Sequence, residues 1–189
     1  MNIRTKFAAV AAAVTLMGIA PSFAQEEAPH VKAVTAYVKK NVEPWLGNAV
    51  IIAAVKDSNK KHARLMQSDI DALDAAWKAK DPALMDSTMK NKAAAFLTEK
   101  KAASGGVITE AFVMDDRGLN VAQTDGTSDM WQADEAKWQK SYGAGAGSIF
   151  VDKVEEDGGK QIAQVSVTIS EKDVPVGAIT LGIDVGKLK

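Results

Sequence analysis

The chain has no cysteine and only two histidines, His30 and His62. The first absence removes disulfides, thiol nucleophiles, CxxCH haem attachment and thiolate-ligated metals. The second leaves no basis for a histidine metal cage. No G-x-S-x-G elbow is present. A Ser-His-Asp relay would have to use one of two histidines that read as surface residues, His62 following directly on Lys60 and Lys61. The acid clusters Asp115-Asp116, Glu155-Glu156-Asp157 and Asp69/Asp71/Asp74 lack the alternating spacing, glycine and distant glutamate of a calcium loop, and read as turn and helix-start acids. No catalytic residue and no metal ligand is therefore expected. Charge of one sign is also missing: the formal net charge is −1, with acids and bases interspersed, which gives no electrostatic case for nucleic acid or an anionic membrane.

Long apolar runs are absent except at the start. Arg4 and Lys6 precede an apolar run over 7–20 that ends in Ser22, Phe23 and Ala24. A positive n-region, a short apolar core and a small-x-small site predict a secretory signal peptide over 1–24, cleaved after Ala24. The run is shorter than the ~20 residues of a membrane span, so no membrane insertion is expected after cleavage. With no cysteine behind the run, lipid attachment at that position has no acceptor. The expected location is the periplasm. Cleavage removes two positive charges, taking the net charge to −3, and leaves a single domain over 25–189 stabilised by its core alone. Export argues against ATP, GTP and NAD, and no cofactor is expected.

What is present divides into two halves. Over 28–103 the period is helical, starting with the stripe Val31, Val34, Val38, Val42 and Trp45. Pro44 predicts a kink or a restart of the helix, with Val50, Ile51, Ala54 and Val55 continuing beyond Gly47. Ser68 and Asp71 read as a capping box ahead of Ile70, Leu73 and Trp77. Asp81-Pro82 opens a last helix carrying Met85, Met89, Phe96 and Leu97 up to Ser104-Gly105-Gly106. Over 107–186 the period is that of strands, with five Val/Ile/Thr-rich runs parted by turns such as Asp116-Arg117-Gly118 and Asp157-Gly158-Gly159. In KQIAQVSVTIS, Ile162, Gln164, Ser166 and Thr168 alternate with Ala163, Val165, Val167 and Ile169, which predicts one polar and one apolar face. The expectation is an α+β domain, a long kinked helix and shorter helices packed on a five-stranded antiparallel sheet.

One connection in the sheet is long, and it concentrates aromatics. TSDMWQADEAKWQKSY, 127–142, holds two of the four tryptophans and one of the two tyrosines. On a helix Trp131, Asp134 or Glu135, Trp138 and Tyr142 would share a face, which could pack or could grip a ligand. The following YGAGAGS, 142–148, stands after a helical segment and before a strand, the reverse of a phosphate-cradling loop, and reads as a hinge.

The stretch FVMDDRGLNVAQTDGTSDMWQADEAKWQKSY, closed by VPVGAITLGIDV, resembles the extracytoplasmic Cache (PAS-like PDC) sensor family in its single-Cache form. The shared features are a strand, an MDxxG turn, a second strand, a ligand-side loop and a terminal GAIT-G-D strand. The resemblance implies a small ligand held against the sheet beneath the 127–142 segment. It would make Trp131, Trp138 and Tyr142 walls, and Asp129, Asp134 and Lys137 polar selectors. Aromatic faces beside a carboxylate suit an amine, while Lys137 suits a carboxylate, so an amine, amino acid or carboxylate is the expected ligand class. Expected too are a sensor module without its own output domain, a separate membrane-bound sensor protein as signalling partner, and a homodimer through the N-terminal helix. The other reading is a periplasmic interaction or structural protein whose pocket has degenerated.

Overall fold

A computed structural model describes residues 28–188. The expected signal peptide and its cleavage site lie outside the described residues. Six helices come first: α1 (Pro29–Asn41), α2 (Glu43–Leu46), α3 (Ala49–His62), α4 (Gln67–Lys78), α5 (Pro82–Met89) and α6 (Lys92–Ala103). Strands β1 (Ile108–Met114) and β2 (Asn120–Gln123) follow, then α7 (Ala136–Gln139), and then β3 (Ile149–Asp157), β4 (Lys160–Glu171) and β5 (Val174–Asp184). None of the described helices is long and apolar enough to cross a membrane.

The helical half is cut more finely than its periodicity predicts. At Pro44 the helix restarts, the proline sitting in the first turn of α2, and the Asn48 side chain accepts the Val50 N–H at 2.9 Å to start α3 afresh. The capping acid of α4 is Asp69, which accepts the Met66 N–H at 2.8 Å. The expected Ser68/Asp71 box fails because the helix already begins at Gln67, and Asp71 takes the Gln67 amide instead. The predicted last helix is two. Asn91 caps α6 through the Ala94 N–H at 2.9 Å while donating its amide to the Val121 carbonyl on β2 at 2.8 Å, so one polar side chain both ends the run and ties it to the sheet.

The five strands form one antiparallel sheet in the order β2-β1-β5-β4-β3. The alternation in β4 lands as its pattern dictates: Ala163, Val165, Val167 and Ile169 face the helices with Ile179, Leu181 and Ile183 of β5 and Ala111 and Val113 of β1, all in one buried cluster with Val34, Val38, Ile51, Val55 and Leu97. Trp45 packs on this core, edge-on to Phe96 at 6.4 Å between centroids. The outward side of α1 carries the exposed Lys32, Ala33, Ala36, Lys39 and Lys40. At Gly177 the sheet leaves no room beneath α3: a Cβ there would collide with the Met114 carbonyl oxygen and lie 2.9 Å from Val55 Cγ1.

Because β2 and β3 occupy opposite edges, the chain between them must cross a sheet face. The helices hold one face, so residues 124–148 cross the polar one.

Candidate functional site

The polar face is built from side chains that alternate with the core. β1 contributes Glu110, Phe112 and Met114, β4 contributes Gln164, Ser166 and Thr168, and β5 contributes Ala178 and Thr180. Polar groups on a sheet face need partners, and four of these find each other, whereas the buried Thr168 hydroxyl has none. The Gln164 amide donates to Glu110 Oε1 at 2.9 Å, and the Ser166 and Thr180 hydroxyls, both fully buried, lie 2.8 Å apart.

The connection that covers this face is mostly not helical. Apart from a 3₁₀ turn over Tyr142–Ala144, its helical backbone is confined to α7, too short to present Trp131 and Trp138 on one side. Trp131 instead pairs with Leu119 through an isolated β-bridge and packs into a second cluster with Ile70, Trp77, Leu119 and Met130, away from the polar face. It does not stand with Trp138 and Tyr142, because the preceding turn is fixed by Asp74, which accepts the Met130 and Trp131 N–H groups at 2.8 and 3.3 Å. Trp138 and Tyr142 do stand over the sheet, 4.9 Å apart and packed on Phe112, Met114 and Ala178.

The two tryptophans are nevertheless joined by one feature, the Asp115–Gly118 turn between β1 and β2. Trp131 Nε1 donates to the Arg117 carbonyl at 2.9 Å, and Trp138 Nε1 donates to the Asp115 carbonyl at 3.3 Å. The turn is tight because Gly118 takes φ 77°, and a Cβ there would meet the Ala133 Cβ at 2.6 Å. Asp115 organises it from within: Oδ1 accepts the Arg117 and Leu119 N–H groups at 2.9 Å each, and Oδ2 meets His62 Nδ1 at 2.6 Å and the Ser58 hydroxyl at 2.9 Å.

His62 is therefore not the surface residue its lysine neighbours suggest. It is 6% exposed and closes the inward stripe Ile51, Val55, Ser58, His62 of α3, a spacing that was available in the sequence. Ser58, His62 and Asp115 do not form a nucleophile relay. Serine and aspartate approach the same ring nitrogen, and the hydroxyl is donated to the carboxylate, so no base stands on the far side to activate it.

The acids of the segment divide similarly. Asp129 is held to Lys78 at 2.7 Å, and that lysine and the Ser128 hydroxyl keep its carboxyl below the usual range. Lys78 also grips Asp74 at 2.7 Å, and both carboxylates push its ammonium pKa up. Asp129 is thus a bracket of the loop. Asp134 is exposed. Lys137 pairs with Glu135 at 2.9 Å and lies over the Phe112 ring at 5.6 Å. Burial raises the Asp116 carboxyl, with Asp115 adding to the rise, and burial raises the Tyr142 phenol, with Asp116 and Asp115 contributing.

Between α7 and the strands the polar face opens into a groove of ≈ 540 Å³. Glu110 and Gln164 form its floor, Glu135 and Lys137 one wall, and Asp152 and Glu155 the other. Six carboxylates line it against two lysines, Lys137 and Lys153. Of the six residues predicted from sequence, only Lys137 lines this groove. Glu110 on the interior strand β1 and the acids of the edge strand β3 were missed because single acids in a strand pattern look like ordinary solvated residues.

No protein-family model matches the chain, and no curated protein matches it at a significant level. Among solved structures it is similar to the ligand-binding domain of the Campylobacter jejuni chemoreceptor Tlp3 in complex with 4-methylisoleucine, at 13% identity over 77% of this chain and 64% of that one, TM-score 0.40. It is similar to the ligand-binding domain of the Pseudomonas aeruginosa amino-acid chemoreceptor PctC in complex with GABA, at 15% identity over 77% and 63%, TM-score 0.41. It is also similar to the sensor domain of the V. cholerae histidine kinase DctB, at 14% identity over 81% and 57%, TM-score 0.39. The chain thus spans between 57% and 64% of the length of these three. The strand order and the helices on one face make the fold of this chain a PAS/Cache-like α+β arrangement.

Proposed function

We propose that this protein is an exported, Cache-like sensor module of the periplasm that binds a small amine-bearing metabolite, an amino acid or a simple amine, in the groove between α7 and the polar sheet face. The observation that carries the reading is the charge of that groove. Six carboxylates and two lysines leave an excess of four negative charges around a concave polar floor, which favours a cation. Glu110 on the floor suits an ammonium, and Lys137 on the α7 wall suits the carboxylate of an amino acid. The signal would pass to a separate membrane-bound sensor protein. A homodimer through the N-terminal helices would use Ala49, Val50 and Ala53, exposed on α3, in preference to the lysine-bearing side of α1.

A thermal-shift screen against amino acids, short amines and dicarboxylates tests this, since a ligand of the folded state raises its stability by mass action. The expected result is stabilisation by at least one amine-bearing compound, lost in Glu110→Gln. Stabilisation by dicarboxylates alone would overturn the ligand class, and no stabilisation by any compound would favour a protein-interaction role with a degenerate pocket.

A further inference from the structure

The charges around the groove under α7 are not all free. Lys137 holds Glu135 at 2.9 Å and Lys153 holds Glu155 at 2.9 Å, so each lysine that lines the groove already has a carboxylate. The other four lining acids, Glu110, Asp152, Glu156 and Asp157, form no ion pair with any described residue. A ligand carboxylate would enter as a fifth unpaired anion, or would have to displace Glu135 from Lys137. A second ligand ammonium meets the opposite situation, since unpaired carboxylates remain after the first is bound.

The order of side chains across the floor makes the same demand. Gly182 of β5 pairs with Glu110 of β1 on one side and Gln164 of β4 on the other. Its missing side chain is what lets the Glu110 carboxylate lie over β5: a Cβ at Gly182 would stand 2.9 Å from Glu110 Cγ and 3.3 Å from its Oε1. On β4 the half-buried Ile162, two residues from Gln164 and on the same face, also lines the groove. Glu155 stands directly opposite Ile162 on β3, and Asp157 follows on that face. Crossing the sheet therefore meets an acid, then an aliphatic side chain, then acids again. From β5 to β3 is two strand spacings, ~10 Å, a gap that a chain of about five carbons with an ammonium at each end closes.

We infer that the groove takes an aliphatic diamine, with one ammonium at Glu110, the carbon chain over Ile162 and the second ammonium among the unpaired acids of β3, Asp152 and Asp157. This assignment rests on the groove being an amine site and narrows its ligand from amines in general to those with a cation at both ends. Calorimetric titration and chemical-shift mapping of the full chain with 1,5-diaminopentane, pentylamine and 5-aminopentanoate test it, at ~150 mM salt to screen loose association with surface acids. The three compounds share a five-carbon chain and differ at one end, which carries an ammonium, a methyl or a carboxylate. The diamine is expected to bind saturably and at least about tenfold more tightly than pentylamine, the margin of one more charge-assisted hydrogen bond, with 5-aminopentanoate weakest. The shifts should centre on Glu110, Ile162 and Gln164. The Asp152→Asn, Asp157→Asn double variant should bring the diamine down to the level of pentylamine and leave pentylamine unchanged, whereas Glu110→Gln should weaken both. A diamine no tighter than pentylamine, 5-aminopentanoate as the tightest of the three, or a diamine advantage that survives in the double variant would overturn the assignment. With shifts still at Glu110 and Gln164, those outcomes leave the amine site standing. Shifts at neither residue with any of the three would overturn the site and the assignment together.

Discussion

At the residue scale the polar connection is governed by buried acceptors and donors more than by its aromatics' spacing. Asp115 satisfies two backbone N–H groups, a serine and a histidine at once, and the carbonyls beside it receive one indole each. Gly177 is as constrained as any charged group: a Cβ there has nowhere to go between Met114 and Val55, so Gly177→Ala is expected to lower stability by about 1–3 kcal/mol in urea unfolding. Asp116 gives a pH test. Burial raises its folded-state pKa above the unfolded value, so its contribution is full below the unfolded pKa and is lost as pH rises through the folded one. Asp116→Asn should therefore raise the urea midpoint at neutral pH and leave it nearly unchanged at about pH 3, where the wild-type carboxyl is protonated in both states. An equal change at both pH values would show that the amide acts by contact and not by charge.

At the element scale the covering connection is a loop held by brackets, with one short helix resting on the sheet. Lys78 of α4 bridges Asp74 and Asp129, and Asp74 holds the Met130 and Trp131 amides. Asp129 titrates in the opposite sense to Asp116. Its pKa is depressed by the Lys78 ammonium, so its contribution is present above the unfolded pKa and is lost as pH falls through the folded value. Lys78→Met should lower the melting temperature at neutral pH, with the difference closing as pH falls through that range in paired thermal melts. The sequence made the strands, their two faces and the proline and asparagine breaks readable, because period and turn chemistry are local. It did not place Trp131 for the same reason. Nothing local says that Trp131 forms a bridge to Leu119, since that depends on Asp74, 57 residues earlier, arriving beneath the same turn. His62 hid behind two lysines although its helical spacing to Ile51 and Val55 marked it as inward.

At the scale of the whole molecule a single path of contacts runs from α3 to the groove. Ser58 and His62 hold Asp115, Asp115 shapes the turn, and the turn receives Trp138, one residue from the groove-lining Lys137. His62→Gln is expected to speed hydrogen exchange over 131–139 while leaving the paired centres of β4 and β5 protected, because those strands are held by their own ladder. The candidate site was half legible: the polar face of β4 and the covering segment follow from alternation and connection length, whereas the acid-rich wall requires β3 and β1 to be brought to one groove from 42 residues apart, as Glu110 and Asp152 are. The central claim is that an amine-bearing metabolite sits in that groove. Chemical-shift mapping of the best thermal-shift compound on the full chain tests it most directly. The account predicts saturating changes centred on Glu110, Lys137 and Gln164. Changes confined to the α3 surface around Ala49 and Lys56, with those three residues unmoved, would contradict it.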